Sequence, residues 1–228
     1  MVSKEKKRLM IFQKEILGLL GFFLPPCAIG FGLFGDNSEL VDPKWWNSIS
    51  MTYYANSKIC MIGVLFSMAL LLFSYVPYQN SDKLLSKIAS FSALGILVFP
   101  CKHSKITTTG LFGLDCDTSF IIHCICASVM FICFAIMVGI EFRKKIPYEK
   151  TTPEKEVRNK IYATCAIVIV VFLVSQAITS QFDKLKFFTI INETMMLWAF
   201  SFAWLVKAEF FKCFNDKTVS SQISNYAS

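Results

Sequence analysis

His123 and Glu193 are the two side chains of this sequence whose type and place promise chemistry. Each lies within a long apolar run, His123 about one helical turn into 120–140 and Glu193 about two turns into 187–206. An ionisable group at membrane depth is costly, so it usually faces protein, takes a partner and marks a ligand or ion path. Ser119 precedes His123 by four residues and shares its helix face. Ser175, Gln176, Thr179, Ser180 and Asn192 fall at a similar depth, and His103, Asp115 and Asp117 lie in the adjoining loop. The expectation is an outward-facing polar pocket with His123 and Glu193 as its floor, lined by Ser119, Gln176 and Asn192 and approached by Tyr53 and Tyr54. Each member also has a plainer role. Asp117 is expected to cap the helix that carries His123, and Glu193 has Lys184 and Lys186 within sequence reach.

The elements that must hold these residues are six apolar runs, 16–34, 59–75, 84–99, 120–140, 161–180 and 187–206. A helix needs about 20 mostly apolar residues to cross a bilayer. Hydrophobic residues make up 54% of the 228, and Phe alone accounts for 23, too apolar for a water-soluble domain of this size. The fold class expected is therefore all-α, a polytopic bundle of six transmembrane helices. One domain spans 1–212, and residues 213–228 read as a disordered cytoplasmic tail.

Charge orients the bundle. Of the 23 Lys and Arg, 17 fall on the side holding the N-terminus, the 77–86 and 141–160 loops and the C-terminus, and six on the other. By the positive-inside rule both termini are cytoplasmic, which places the chain in a plasma (bacterial inner) membrane. The same basic clusters suit anionic lipid heads. Nucleic acid is excluded as a partner, because no basic stretch is interleaved with exposed aromatics. Membrane lipids are the partners expected, with a homo-oligomer as a further arrangement.

The N-terminus has the basic-then-apolar order of a signal peptide, but Pro25 and Pro26 stand where small residues would be needed and the apolar run continues. An uncleaved first helix, kinked near the prolines, is expected. Asn56 is read as the N-cap of the second helix. The third is rich in small residues, Ser86, Ala89, Ser90, Ser92, Ala93 and Gly95, which suggests a central position. Trp45 and Trp46 suit the headgroup belt. Of nine cysteines none has zinc-type spacing, and Cys101 and Cys116, which bracket one outer loop, are expected to form a disulfide there.

Several short motifs carry a resemblance. They are Ser48-Ile49-Ser50-x-x-Tyr53-Tyr54, Gly63-x-Leu65, Phe99-Pro100, His123-x-x-x-Ala127-x-x-x-Phe131, Trp198-Ala199-Phe200 and Trp204-Leu205-Val206-Lys207-x-Glu209. Together, over roughly residues 15–210, they resemble a family of small bacterial six-helix membrane proteins without an assigned activity, similar in outline to DRAM/Sfk-type membrane proteins. The resemblance implies a six-helix bundle and no particular reaction.

Three functions fit these residues. The first is binding of a lipid or small amphiphile in the outer pocket, in a sensor or accessory role without enzymatic activity. The second is a channel or transporter, including a pore built from several copies. The third is an intramembrane metal-dependent lipid hydrolase. That chemistry wants about three His ligands, and the sequence offers only His103 and His123. No cofactor is expected.

Overall fold

The computed structural model describes residues 4–34, 45–76, 80–144 and 152–216. Of the sequence expectations, the acidic part of the first outer loop, residues 145–151 of the 141–160 connector and residues 217–228 of the tail lie outside the described residues. The described residues are helical apart from loops and one short hairpin. The six long helices are α1 (Lys4–Leu33), α2 (Lys58–Ser74), α3 (Asn80–Val98), α4 (Cys116–Gly139), α5 (Pro153–Thr179) and α6 (Phe188–Lys207). Four of them, α1, α4, α5 and α6, are long and apolar enough to cross a membrane. α2 is apolar throughout but has 17 residues, about 26 Å at 1.5 Å per residue. α3 carries Asp82, Lys83 and Lys87 in its first turns, which shortens its apolar part.

Each helix packs against the next in sequence, and α6 returns to α1, so the six form a closed ring. The packing is that of a membrane bundle. Ile59, Leu70, Phe91, Ile121, Ile167 and Val171 point outward, while Ser90, Ser119, His123, Asn192 and Ser201 are buried. Hydrocarbon-facing residues gain nothing from association, so small residues and polar contacts hold such helices together. Ser90 Oγ donates to the Ala69 carbonyl at 2.7 Å, joining α3 to α2. Gly95 lies against Cys126 and Gly139 against Ala166, where an added Cβ would come within 2.5 and 2.9 Å. The middle of the bundle is a belt of buried Met68, Leu72, Phe134, Met137 and Phe200, with the Phe134 and Phe200 rings stacked at 3.7 Å.

Helix α3 keeps its small face buried but occupies one place in the ring and not its centre. The most enclosed helix is α6, half of which is buried and which also touches α4 across the ring. Small residues allow close approach, but α6 offers more surface to enclose, with Phe200 and Trp204 both fully buried.

α1 starts twelve residues earlier than its apolar run and passes through Pro25 and Pro26 as continuous helix. Proline has no N–H, so Pro26 leaves the Phe22 carbonyl without its intrahelical donor. The Trp198 indole N–H supplies the bond from α6 at 3.1 Å, and the two rings stack at 5.7 Å. Trp198→Phe keeps most of the ring and removes that donor. It is expected to lower stability by about 1–2 kcal/mol, read as a shifted unfolding midpoint in detergent.

The helix ends at the Lys4 and Lys207 side are closed by an aromatic cluster. Tyr75 and Phe142 pack edge-on against Trp204 at 5.0 and 5.1 Å, and Tyr162 against Phe142 at 5.6 Å. Tyr75 donates to Asp82 at 3.1 Å, and the Lys207 ammonium lies 5.1 Å from the Phe142 ring centre. Residues 213–216, which composition assigns to the disordered tail, dock here. Asp216 pairs with Arg158 at 2.9 Å and accepts from Thr152, while Arg158 donates to the Phe214 carbonyl at 2.6 Å. Those two partners hold the Asp216 carboxyl below its ordinary range although burial alone would raise it.

Candidate functional site

The site lies at the opposite end, where α3 ends and α4 and α6 begin. Its frame is short-range chemistry. Phe99-Pro100 stops α3, a small antiparallel hairpin pairs Thr108–Thr109 with Leu114–Asp115, and α4 starts directly after it. Asp115, not Asp117, is the N-cap of α4, accepting from the Thr118 amide at 2.9 Å. This bond holds the Asp115 carboxyl below its ordinary value. Asp117 instead pairs with Lys102. Ser57 takes the first position before α2, not Asn56, and makes no side-chain cap bond.

Between α1 and α2 the chain makes two 3-10 turns, Trp45–Asn47 and Ser50–Tyr54. The segment between and including them folds back over the bundle mouth and meets Glu193. Ser48 Oγ donates to both carboxylate oxygens at 2.9 Å, the Ile49 amide donates at 2.6 Å, and Ser50 Oγ lies at 3.2 Å. Ser50 Oγ also lies 3.1 Å from His123 Nε2, and His123 Nδ1 is 2.9 Å from the Phe99 carbonyl. One hydroxyl thus bridges an α4 imidazole and an α6 carboxylate.

Proton positions follow from the partners. A carbonyl accepts only, so His123 Nδ1 carries hydrogen. Satisfying every remaining contact leaves two arrangements. In one, Glu193 is ionised and receives Ser48, Ile49 and Ser50, and His123 Nε2–H donates to the Ser50 oxygen as part of an imidazolium. In the other, the acid donates to Ser50 Oγ, which donates to a neutral Nε2. Both hold the same number of protons and are neutral overall. Neutrality lowers the cost of burying the pair.

The remaining expected site residues separate into other groups. Ser119 Oγ donates to the Pro100 carbonyl at 2.8 Å, one residue along from the carbonyl that holds His123. Tyr54 donates to the Cys101 carbonyl at 2.8 Å, lies 2.7 Å from Thr109 Oγ1 and packs on the His103 ring at 4.6 Å. Tyr53 packs on Tyr54, and the Lys58 ammonium sits 4.5 Å from its ring centre. Gln176 and Asn192 do not reach Glu193. They form their own ladder between α5 and α6, in which the Asn192 amide donates to Gln176 at 3.0 Å and accepts from Ser175 at 3.1 Å. The Glu193 carboxylate is taken by the loop and not by Lys184 or Lys186.

The expected Cys101–Cys116 disulfide is not formed. Both residues are buried, and the Cys116 thiol at the head of α4 donates to the Ile106 carbonyl at 3.1 Å, which turns it to the hairpin. Among the described residues no three His, Cys, Asp or Glu side chains converge as a metal centre requires.

Sequence reasoning missed Ser48, Ile49 and Ser50 as partners of the site. Both hydroxyls stand in the Ser48-Ile49-Ser50-x-x-Tyr53-Tyr54 motif.

Burial pushes the Tyr54 hydroxyl above the ordinary tyrosine value of 10.0, partly opposed by its bond to Thr109. A raised value means stability that is present below pH 10 and lost as pH rises beyond it. At neutral pH Tyr54→Phe is expected to cost about 1–2 kcal/mol through its lost bonds. Above pH 10 its stability curve should close on that of the wild type, as followed by unfolding midpoints against pH.

No protein-family model, no curated protein and no solved structure matches this chain.

Proposed function

We propose that this chain crosses the membrane six times with both termini in the cytoplasm, and binds a lipid or small amphiphile at the outer Glu193–Ser50–His123 site. The orientation rests on the partition of Lys and Arg, 17 against six. Labelling of a cysteine placed within 145–151 from outside intact cells would reverse it.

One observation carries the binding role. Glu193 takes its donors from a loop, as two hydroxyls and one amide, and not from the neighbouring helices. A loop can be exchanged for a ligand that offers the same donors, and a headgroup with hydroxyl and amide groups does so. Such a ligand would have to displace Ser48–Ser50, so its apparent affinity is reduced by the fraction of time the loop is seated. This competition suits a sensor, whose loop reports occupancy. Two to three turns deeper lies the Phe134–Phe200 stack, which supports a pocket closed at its base over a conduit through one copy.

The test is photolabelling in liposomes with a photoactivatable N-acyl amino alcohol, mapped by peptide mass spectrometry. Adducts are expected on 45–55 and 187–194, and Glu193→Gln should reduce them while leaving the size-exclusion profile unchanged. Adducts spread evenly over the outward apolar faces, and indifferent to Glu193→Gln, would overturn the reading.

A further inference from the structure

At the Lys4 and Lys207 side, a groove opens between the end of α4 and the start of α5. It is lined by Gly139, Ile140, Arg143, Lys144 and Asn159. Its electrostatics are uneven. The Lys144 ammonium is held by Glu141 at 2.7 Å and by Ser81 at 3.2 Å, so that pair is nearly balanced. Arg143 is exposed and donates one Nη1–H to the Gly139 carbonyl at 3.2 Å. A guanidinium has five N–H donors in a planar fork that matches phosphate oxygens. The Asn159 amide, half-buried across the groove, adds a further donor.

The apolar surroundings extend the same fit. Gly139 lets α4 approach Ala166 of α5 closely, which closes the groove toward the bundle interior. Exposed Ile140 and Ile132 continue along α4, and exposed Ile167, Val170 and Val174 along α5. Polar donors thus sit where two apolar helix faces end, at the junction of headgroup and acyl chain. Basic pockets between helix ends on the cytoplasmic side have the chemistry of anionic headgroup sites.

We infer that this groove is a binding site for one anionic glycerophospholipid, its phosphate on Arg143 and Asn159 and an acyl chain along the outward faces of α4 and α5. The site is separate from the Glu193 site and rests on the proposed orientation, not on the Glu193 reading. The net positive charge of Arg143 selects an anionic over a zwitterionic head.

The experiment uses the whole chain, delipidated in detergent and titrated with phosphatidylglycerol or with phosphatidylcholine of the same acyl composition, with bound lipid counted by native mass spectrometry. One phosphatidylglycerol is expected to bind more tightly than phosphatidylcholine. Arg143→Gln should weaken it about fivefold, the worth of one basic residue at the membrane surface. Lys184→Gln, an exposed cation at the other end of the bundle, should not weaken it. Equal affinity for the two lipids, no effect of Arg143→Gln, or an equal effect of Lys184→Gln would each overturn the site. Both replaced side chains are exposed, so the variants should fold, as size-exclusion profiles will show.

Discussion

Glu193→Ala is expected to lower stability by about 3–5 kcal/mol, the usual cost of removing one partner from a buried charged network. The change strands Ser48 Oγ and the Ile49 amide without their acceptor and leaves Ser50 Oγ only His123 as a side-chain partner. It also leaves His123 without the charge that balances its imidazolium form. The loop that covers the mouth then loses its anchor. Glu193→Gln should cost less, about 1–2 kcal/mol, because its carbonyl still accepts hydrogen bonds. A double-mutant cycle with His123→Ala should show at least about 1 kcal/mol of coupling, since both side chains bond the same hydroxyl. Unfolding midpoints in detergent measure all three. A Glu193→Ala protein within 1 kcal/mol of the wild type would mean that the loop is not held by this residue.

Gly21→Leu is the second large expectation, at about 3 kcal/mol or more, because it wedges apart the seam that closes the ring. A side chain at Gly21 runs into Ser201 Oγ, and one at Gly18 meets Leu205 Cγ at 2.8 Å and the Ser201 carbonyl at 3.1 Å. Close-packed interiors accommodate added volume poorly, and beyond Ser201 the Met68 and Phe200 side chains lie 3.4 and 3.6 Å from an added Cβ at Gly21. Gly30 supplies the contrast, with nothing within 4 Å of an added Cβ. Gly30→Ala should be neutral or stabilising by up to about 1 kcal/mol through helix propensity. The readout is the share of monodisperse protein on size exclusion together with the unfolding midpoint. A Gly21→Leu protein as stable as Gly30→Ala would show that the α1–α6 seam is loose.

The helices were legible because run length and hydropathy act locally. Their ends were not, since α1 and α5 extend as helix through Lys4–Glu15 and Pro153–Lys160, where charged helix formers replace the apolar signal. Asp115 and Asp117 are equally good caps by residue type. The choice was made by the hairpin that ends at Asp115. His123 and Glu193 could be brought together from depth alone, because cost drives both inward. Asn192 misled for a geometric reason. It is adjacent to Glu193, but successive helical residues point about 100° apart, so one faces α5 and the other faces the mouth. Ser48 and Ser50 could not be placed, because a loop's return over a bundle depends on tertiary contacts that no local pattern encodes.

The bond from Trp198 to the Phe22 carbonyl bears on biosynthesis. α1 is made first, with a backbone acceptor bared by its own proline, and its donor is more than 170 residues downstream. At about 5–20 residues per second, that acceptor waits on the order of ten seconds before α6 is synthesised. During that interval the first helix is incomplete in a low-dielectric medium that tolerates open carbonyls poorly. Insertion machinery or lipid headgroups must shelter it, and the ring can lock only when its last member arrives.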